Sequence, residues 1–473
     1  MDKAAHFGLI GLGTMGAALA LNIAENGYPI VVYNRTAEVT DAFMAGAGEL
    51  APNLTPAKTL EDFVAGITPP RAIILMVPAG PVVDQQIAAL APLLEDGDLI
   101  IDAGTANYVD TERRAAEAAT QSYDFIGIGV SGGEEGARHG PSIMVGGAPA
   151  QWDRVGEMLR AISAKYEGEA CAALMGPGGA GHFVKMVHNG IEYADMQMIA
   201  ETYALMRDGM GYDPERIAET FEDWNKGPLA SYLIEISGKV ARATDPISGG
   251  PMLDEILDAA GQKGTGRWTA IEAQKLAVAI PVIEAAVVAR NLSAQVAARK
   301  HGSDVFGAMP NELPDGAIAT STLEGALIAG KILCYAQGFD MLARASAEFD
   351  WTLPMPEIAK IWRNGCIIRS AMLNDMASAL AVSPGENLIF AEPFTRMLIE
   401  NETALRKVVI AATAAGIAVP ALAAGLSWFD SMRTPRGSAN MIQAQRDFFG
   451  AHGYERLDGK AAPHGPWWDH AAG

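Results

Sequence analysis

The chain has 473 residues, of which 49% are hydrophobic, and a formal net charge of −21. That length suggests two or three domains with a large buried core, which excludes a disordered chain. The acidic balance repels polyanions, so nucleic acid and anionic membrane are excluded as partners, while a small phosphorylated ligand in a locally basic pocket is not.

The N-terminal "MDKAAHFGLIG" has no long apolar h-region and no cleavage signal, and no segment is read as reaching the length of a membrane span. A cytoplasmic protein is expected. The three cysteines, Cys171, Cys334 and Cys366, fit no metal spacing and no disulfide framework, and are expected to be reduced and buried.

The first elements lie in "HFGLIGLGTMGAALALNIAENGYPIVVYNRT", His6 to Thr36. Phe7 to Ile10 read as a strand. Gly11, Gly13 and Gly16 follow in G-x-G-x-x-G spacing. Ala17 to Glu25 read as a helix stopped by Asn26-Gly27, and Ile30 to Tyr33 as a second strand. Strand, glycine turn, helix and strand together form the context of a dinucleotide site, with Gly11, Gly13, Thr14, Met15 and Gly16 around the pyrophosphate. An NAD site usually carries an acid at the end of the second strand; this chain has Asn34-Arg35-Thr36. A guanidinium with two neutral hydrogen-bonding groups suits a 2′-phosphate, so NADP is expected, with NAD as the alternative.

Continuous apolar runs at Ala72 to Val77, Leu99 to Gly104 and Phe125 to Gly133 read as further parallel strands buried on both faces. Ligands sit beyond the carboxyl ends of such strands, which makes Val77-Pro78-Ala79-Gly80, Thr105-Ala106-Asn107 and Ser131-Gly132-Gly133 the rim loops. An α/β Rossmann-type domain over residues 1–180 is expected. From 181 to 432 the chain turns to helical spacing, as in Ile280 to Arg299, and a large all-α domain is expected. Residues 433–473, rich in Gly, Pro, His and aromatics, read as a C-terminal tail.

The helical part opens with "GHFVKMVHNGIEYADMQ". On a helix, Lys185, His188, Asn189, Glu192 and Tyr193 share one face, while Phe183, Val187, Ile191 and Ala194 point the other way. An ammonium, an imidazole, an amide, a carboxylate and a phenol are not the composition of a solvated stripe. The helix also follows the Gly-rich "MGPGGAG" at the expected domain junction, a preferred place for a ligand site.

With this stripe the sequence resembles the 6-phosphogluconate dehydrogenase (decarboxylating) family. The matching stretches are "GLGTMGAALALN", "YNRT", "IIDAG", "GVSGGEEGARHGPSIMVGG", "GHFVKMVHNGIEYADMQ", "QKGTGRWT", "YAQGF", "WRNGCIIRS" and "RDFFGAHGYE", in order over nearly the whole chain. The resemblance implies oxidation of 6-phosphogluconate at C3 with NADP, loss of CO2 and release of ribulose 5-phosphate, without a metal. It implies Lys185 as general base and Glu192 as general acid. His188 and Asn189 would hold substrate hydroxyls, and Ser131, Gly132 and Gly133 the carboxylate end. Tyr193, Lys263, Thr265 and Arg290 would surround the phosphate. Arg446 and His452 would enter the neighbouring subunit's site from the tail, making an obligate homodimer. Three positions depart from the family: Thr105 and Ala18 stand where it carries Asn, and Pro78 where it carries Lys. Thr105 is expected both at the substrate and at the nicotinamide, which it would hold more loosely than Asn. Two other readings compete: a related β-hydroxyacid dehydrogenase acting on an unphosphorylated acid, and a non-catalytic NADPH-binding protein.

Overall fold

The computed structural model describes residues 4–461 and 464–467. Residues 1–3 of the expected first domain, and 462–463 and 468–473 of the expected tail, lie outside the described residues. Two compact units are present, Met1–Gly425 and Leu426–Gly473.

The first unit opens with an eight-stranded sheet. Its strands are β1 (Phe7–Ile10), β2 (Ile30–Tyr33), β3 (Leu54–Pro56), β4 (Ala72–Leu75), β5 (Asp98–Asp102), β6 (Tyr123–Val130), β7 (Ile143–Gly146) and β8 (Ala172–Gly176), in the order β8-β7-β6-β5-β4-β1-β2-β3. The strands β1 to β6 pair in parallel, with Phe7 opposite both Ile30 and Ala72. The strand order reverses between β1 and β4, where such sheets open a crevice for a ligand. Every residue of β4 and β5 is buried, as continuous apolar runs require of strands covered on both faces.

Two details differ from the sequence expectation. The third apolar run ends its strand at Val130, leaving Ser131–Gly133 as a turn. The next strand, β7, runs antiparallel to β6, and β8 pairs in parallel with β7. The connection from β6 to β7 holds only the seven-residue helix Gly133–His139. Such a helix climbs about 10 Å, far less than the roughly 27 Å length of an eight-residue strand. The chain therefore runs back beside β6 instead of returning to its start.

Helices α1 (Thr14–Glu25) and α2 (Tyr108–Ala118) belong to the sheet region. Beyond Gly176 the described chain is helical, apart from isolated bridges such as Ser231 with Ser370. Its helices include α3 (Ala180–Ala204), α4 (Thr265–Lys275), α5 (Pro281–Ser293), α6 (Thr320–Glu348), α7 (Pro420–Met432) and, in the second unit, α8 (Ala439–Gly450). The expected helical stretch from Ile280 to Arg299 is two helices. It breaks at Ala294-Gln295, where Gln295 leaves helical geometry at φ −90 and ψ 50 before Val296–Phe306 resumes.

Helix α6 passes the length and composition of a membrane span, which corrects the reading that no segment does. Its apolar window is 89% buried inside the protein, so it is a core helix. It packs on α3 at Gly338, where an added Cβ would stand 2.5 Å from Ile191 Cδ1. Only glycine lets the two backbones approach so closely. The same contact carries a buried ion pair, with Lys331 Nζ 2.7 Å from Asp195 Oδ2. All three cysteines are free and buried, as expected.

Candidate active site

The glycine turn between β1 and α1 uses each glycine differently. At Gly11, φ is +101 and a Cβ would stand 2.4 Å from the Met76 carbonyl oxygen. At Gly16 a Cβ would stand 1.8 Å from the Gly11 oxygen, so this glycine seats α1 against the turn. Gly13 is open, with nothing within 4 Å of its Cβ position. No side chain caps α1 and no acid lies in its first turn, so its N-terminal N–H groups face that open space with Thr14 exposed and Met15 half-buried beside them. This cradle fits a pyrophosphate.

At the end of β2, Asn34 is partly committed to the fold. Its Oδ1 accepts from Leu12 N at 3.1 Å and its Nδ2 donates to Thr36 O at 3.2 Å, so it clamps the glycine turn. Arg35 and Thr36 are exposed, and Arg35 makes no ion pair among the described residues. A free guanidinium at this position fits a 2′-phosphate. In the rim loops Val77 is half-buried, while Pro78, Ala79 and Thr105 are exposed.

Helix α3 is buried on both faces. Phe183, Val187, Ile191 and Ala194 are fully buried in the core, and on the polar face Lys185 is 8% and His188 0% exposed. Gly129 makes room for Lys185, since a Cβ there would stand 2.4 Å from Lys185 Cβ. Lys185 Nζ donates to Ser131 Oγ at 2.8 Å, and Ser131 Oγ lies 3.3 Å from His188 Nε2. His188 Nδ1 lies 3.0 Å from Asn189 Oδ1 and 3.9 Å from Glu192 Oε2. Asn189 Nδ2 donates to Thr265 Oγ1 at 3.2 Å. The Ser131-Gly132-Gly133 turn is braced from behind, because a Cβ on Gly132 (φ +101) would stand 2.6 Å from the Gly365 oxygen of "WRNGCIIRS".

A second cluster sits one helical turn further along. Thr265 begins α4, capped by Gly264 at φ +100. The Arg290 guanidinium of α5 lies 3.5 Å from the centre of the buried Tyr193 ring, a cation–π contact, and donates to Gly261 O at 3.3 Å. Lys263 is exposed in the same Gly261–Gly264 loop. The Arg290 guanidinium, the buried Thr265 hydroxyl and a helix N-terminus, with Lys263 in the same loop, are groups that suit an anion.

Burial moves the proton affinities here. It lowers the Lys185 ammonium from its ordinary value, with the Glu192 carboxylate opposing. It raises the Glu192 carboxyl, opposed by the charges of Lys185 and Arg290. His188 is held well below its ordinary value by burial and then by the Lys185 charge, so it is neutral at physiological pH. An amine whose proton affinity is lowered and, two turns along, a carboxyl whose proton affinity is raised are a pair suited to two successive proton transfers.

The structure thus gathers Ser131, Lys185, His188, Asn189, Glu192, Tyr193, Thr265 and Arg290. Arg446 lies on α8 and His452 just beyond it, both exposed in the second unit, where Asp447 accepts from Gly453 N, Gly465 N and Trp467 Nε1. Sequence reasoning missed the residues that brace the site. They include Thr269, whose methyl would meet a Cβ on Gly190 at 2.7 Å, and a set of polar ties from α2. Single polar residues paired across more than fifty positions carry no local sequence signal.

Residues 6–176 match the NAD binding domain of 6-phosphogluconate dehydrogenase, and residues 181–467 match the 6-phosphogluconate dehydrogenase C-terminal domain. The chain is 46% identical over 467 residues to the decarboxylating 6-phosphogluconate dehydrogenase of Synechococcus elongatus, covering 98% of this chain and 99% of that one. It is 45% identical over 468 residues to the enzyme of that name from Lactococcus lactis, with 98% and 99% covered. Among solved structures, Plasmodium falciparum 6-phosphogluconate dehydrogenase, described in apo form and in complexes with NADP+ and with 6-phosphogluconate, superposes with a TM-score of 0.94 at 40% identity, covering 98% of this chain and 100% of that one. With both halves matched in order and nearly every residue aligned, the chain belongs to the 6-phosphogluconate dehydrogenase family.

Proposed function

We propose that this chain oxidises and decarboxylates 6-phosphogluconate to ribulose 5-phosphate and CO2 with reduction of NADP. The observation that carries the reading is the buried Lys185–Ser131–His188 cluster with Glu192 two turns along the same helix. The open glycine turn and the free Arg35 fit NADP, which when bound accepts the hydride from C3.

Lys185, whose proton affinity burial lowers, takes the C3 hydroxyl proton. Its bond to Ser131 fixes one N–H and leaves the lone pair free for the substrate. As an ammonium it then draws electrons toward the C3 carbonyl, so that the C1–C2 bond breaks and CO2 departs. Glu192, whose carboxyl burial holds above its ordinary proton affinity, gives its proton to C2 of the enediol, the carbon that becomes C1 of ribulose 5-phosphate. Seven positions separate the two groups, about 10 Å along the axis, so they reach different carbons of one extended substrate. His188 and Asn189 hold hydroxyls, Ser131, Gly132 and Gly133 the carboxylate end, and Tyr193, Lys263, Thr265 and Arg290 the phosphate. Arg446 and His452 complete the phosphate end from the tail of a second subunit in a homodimer. The sheet region, residues 1–180, serves the cofactor, and residues 181–432 serve the substrate.

The test is NADPH formation with 6-phosphogluconate, with CO2 measured in parallel, against NAD and against unphosphorylated gluconate. Equal turnover of the unphosphorylated acid, or NADPH without CO2, would overturn the reading.

A further inference from the structure

Helix α2 has polar ties to three parts of the site at once. Toward α3, Glu112 Oε1 accepts from Gly179 N at 2.8 Å, and Thr111 Oγ1 lies 2.7 Å from Nδ1 of the fully buried His182, one turn before Lys185. Toward α4, Tyr108 OH donates to Glu272 Oε2 at 2.8 Å. Toward the cofactor rim it sends one buried cation, Arg114, 2% exposed.

Arg114 holds both rim loops. Its Nε and Nη2 meet the two oxygens of Asp84 at 2.8 and 3.1 Å, in a bidentate pair. The same Nη2 donates to Gly80 O at 3.0 Å, and Nη1 reaches Asp102 Oδ2 at 3.4 Å. The other oxygen of Asp102 accepts from Gly104 N at 3.1 Å. Gly80 ends the Pro78-Ala79-Gly80 loop, with φ +89, and Gly104 precedes Thr105. A planar fork with five donors can tie a carboxylate, a carbonyl and a second carboxylate together, which an ammonium cannot. Gly104 also packs on the first loop, since a Cβ there would stand 3.0 Å from Val77 O.

We propose that Arg114 is a positioning residue for the reaction: it holds the Pro78–Gly80 and Gly104–Thr105 loops in register with α2, and so with the helix that carries Lys185. The inference rests on the reading of the reaction given above. It gives the chain a fixed anchor at a rim whose own residues, Pro78 and Thr105, bring no charge to the cofactor.

Two variants test it, Arg114→Lys and Asp84→Asn. The Asp84 side chain is 40% exposed, so the second removes the bidentate tie without opening the core. NADPH affinity is read by its fluorescence on binding, 6-phosphogluconate affinity by calorimetry, and the C–H step by the isotope effect with substrate deuterated at C3. Both variants are expected to bind NADPH on the order of tenfold more weakly, the loss of about one charged hydrogen bond. They should bind 6-phosphogluconate within about twofold of the parent, because the substrate cluster is untouched, and show a larger isotope effect. Unchanged NADPH affinity in the folded Asp84→Asn variant would overturn the proposal. So would equal weakening of both ligands, which marks general loosening. A parent protein that binds NADPH but does not oxidise 6-phosphogluconate would instead overturn the reaction on which the proposal rests.

Discussion

Lys185 shows how much a single position owes to its surroundings. It is 8% exposed, its nitrogen bonded to Ser131 and its stem laid against Gly129. Burial lowers its proton affinity, so replacing the amine removes the group proposed as base. Lys185→Met should lower kcat on the order of a thousandfold while NADPH binding, measured by fluorescence, stays near that of the parent. The identity of this residue was legible in the sequence, because an isolated lysine on a helix face beside His, Asn and Glu has few bland explanations. Its environment was not legible: Gly129 and Ser131 reach it from another part of the chain.

At the scale of the element, one glycine and one carboxylate fix how helices meet. Gly266 of α4 lies under Tyr193, where a Cβ would stand 2.5 Å from the ring. Gly266→Ala must push the ring, and with it the stacked Arg290, away from the proposed phosphate site. Overpacking of about 1–3 kcal/mol is typical, and KM for 6-phosphogluconate should rise on the order of tenfold with NADPH affinity unchanged. At the far end of α3, Glu201 accepts from Ala421 N and Leu422 N at 2.8 and 3.0 Å and so caps α7. Burial raises its carboxyl from the ordinary 4.5 to about 7. A raised acid favours the protonated folded form, so its stabilisation is full below pH 4.5, falls as pH rises through 7 and is constant above. The parent should lose about 3 kcal/mol across that window relative to Glu201→Gln, read as the difference between their unfolding curves. The elements themselves were mostly legible, because apolar runs and helical spacing are local. The antiparallel turn of β7 was not, because the length of a connecting helix decides it and hydrophobicity does not.

For the whole molecule, the acidic net charge and the proposed phosphate site are compatible because Arg290, stacked on Tyr193, and Lys263 of the adjacent loop supply local positive charge. The tail assignment has a direct test. If Arg446 serves the neighbouring subunit, Lys185→Ala and Arg446→Ala chains are each nearly inactive alone. A heterodimer of the two carries one site with intact Lys185 and intact Arg446. Refolding an equal mixture should restore about a quarter of parental activity, because half the dimers are mixed and each has one good site of two. Activity no greater than the average of the separate variants would rule out the exchange. The three buried thiols have a separate consequence. Burial raises all of them, Cys366 to about 12 and Cys334 well above its ordinary value, so almost no thiolate is present in the folded protein. Alkylating reagents should therefore leave the native enzyme unmodified, and labelling of Cys334, in the middle of α6, should proceed only at the rate at which the helical core opens. The cysteines then act as a built-in clock for unfolding, readable by mass without any added probe.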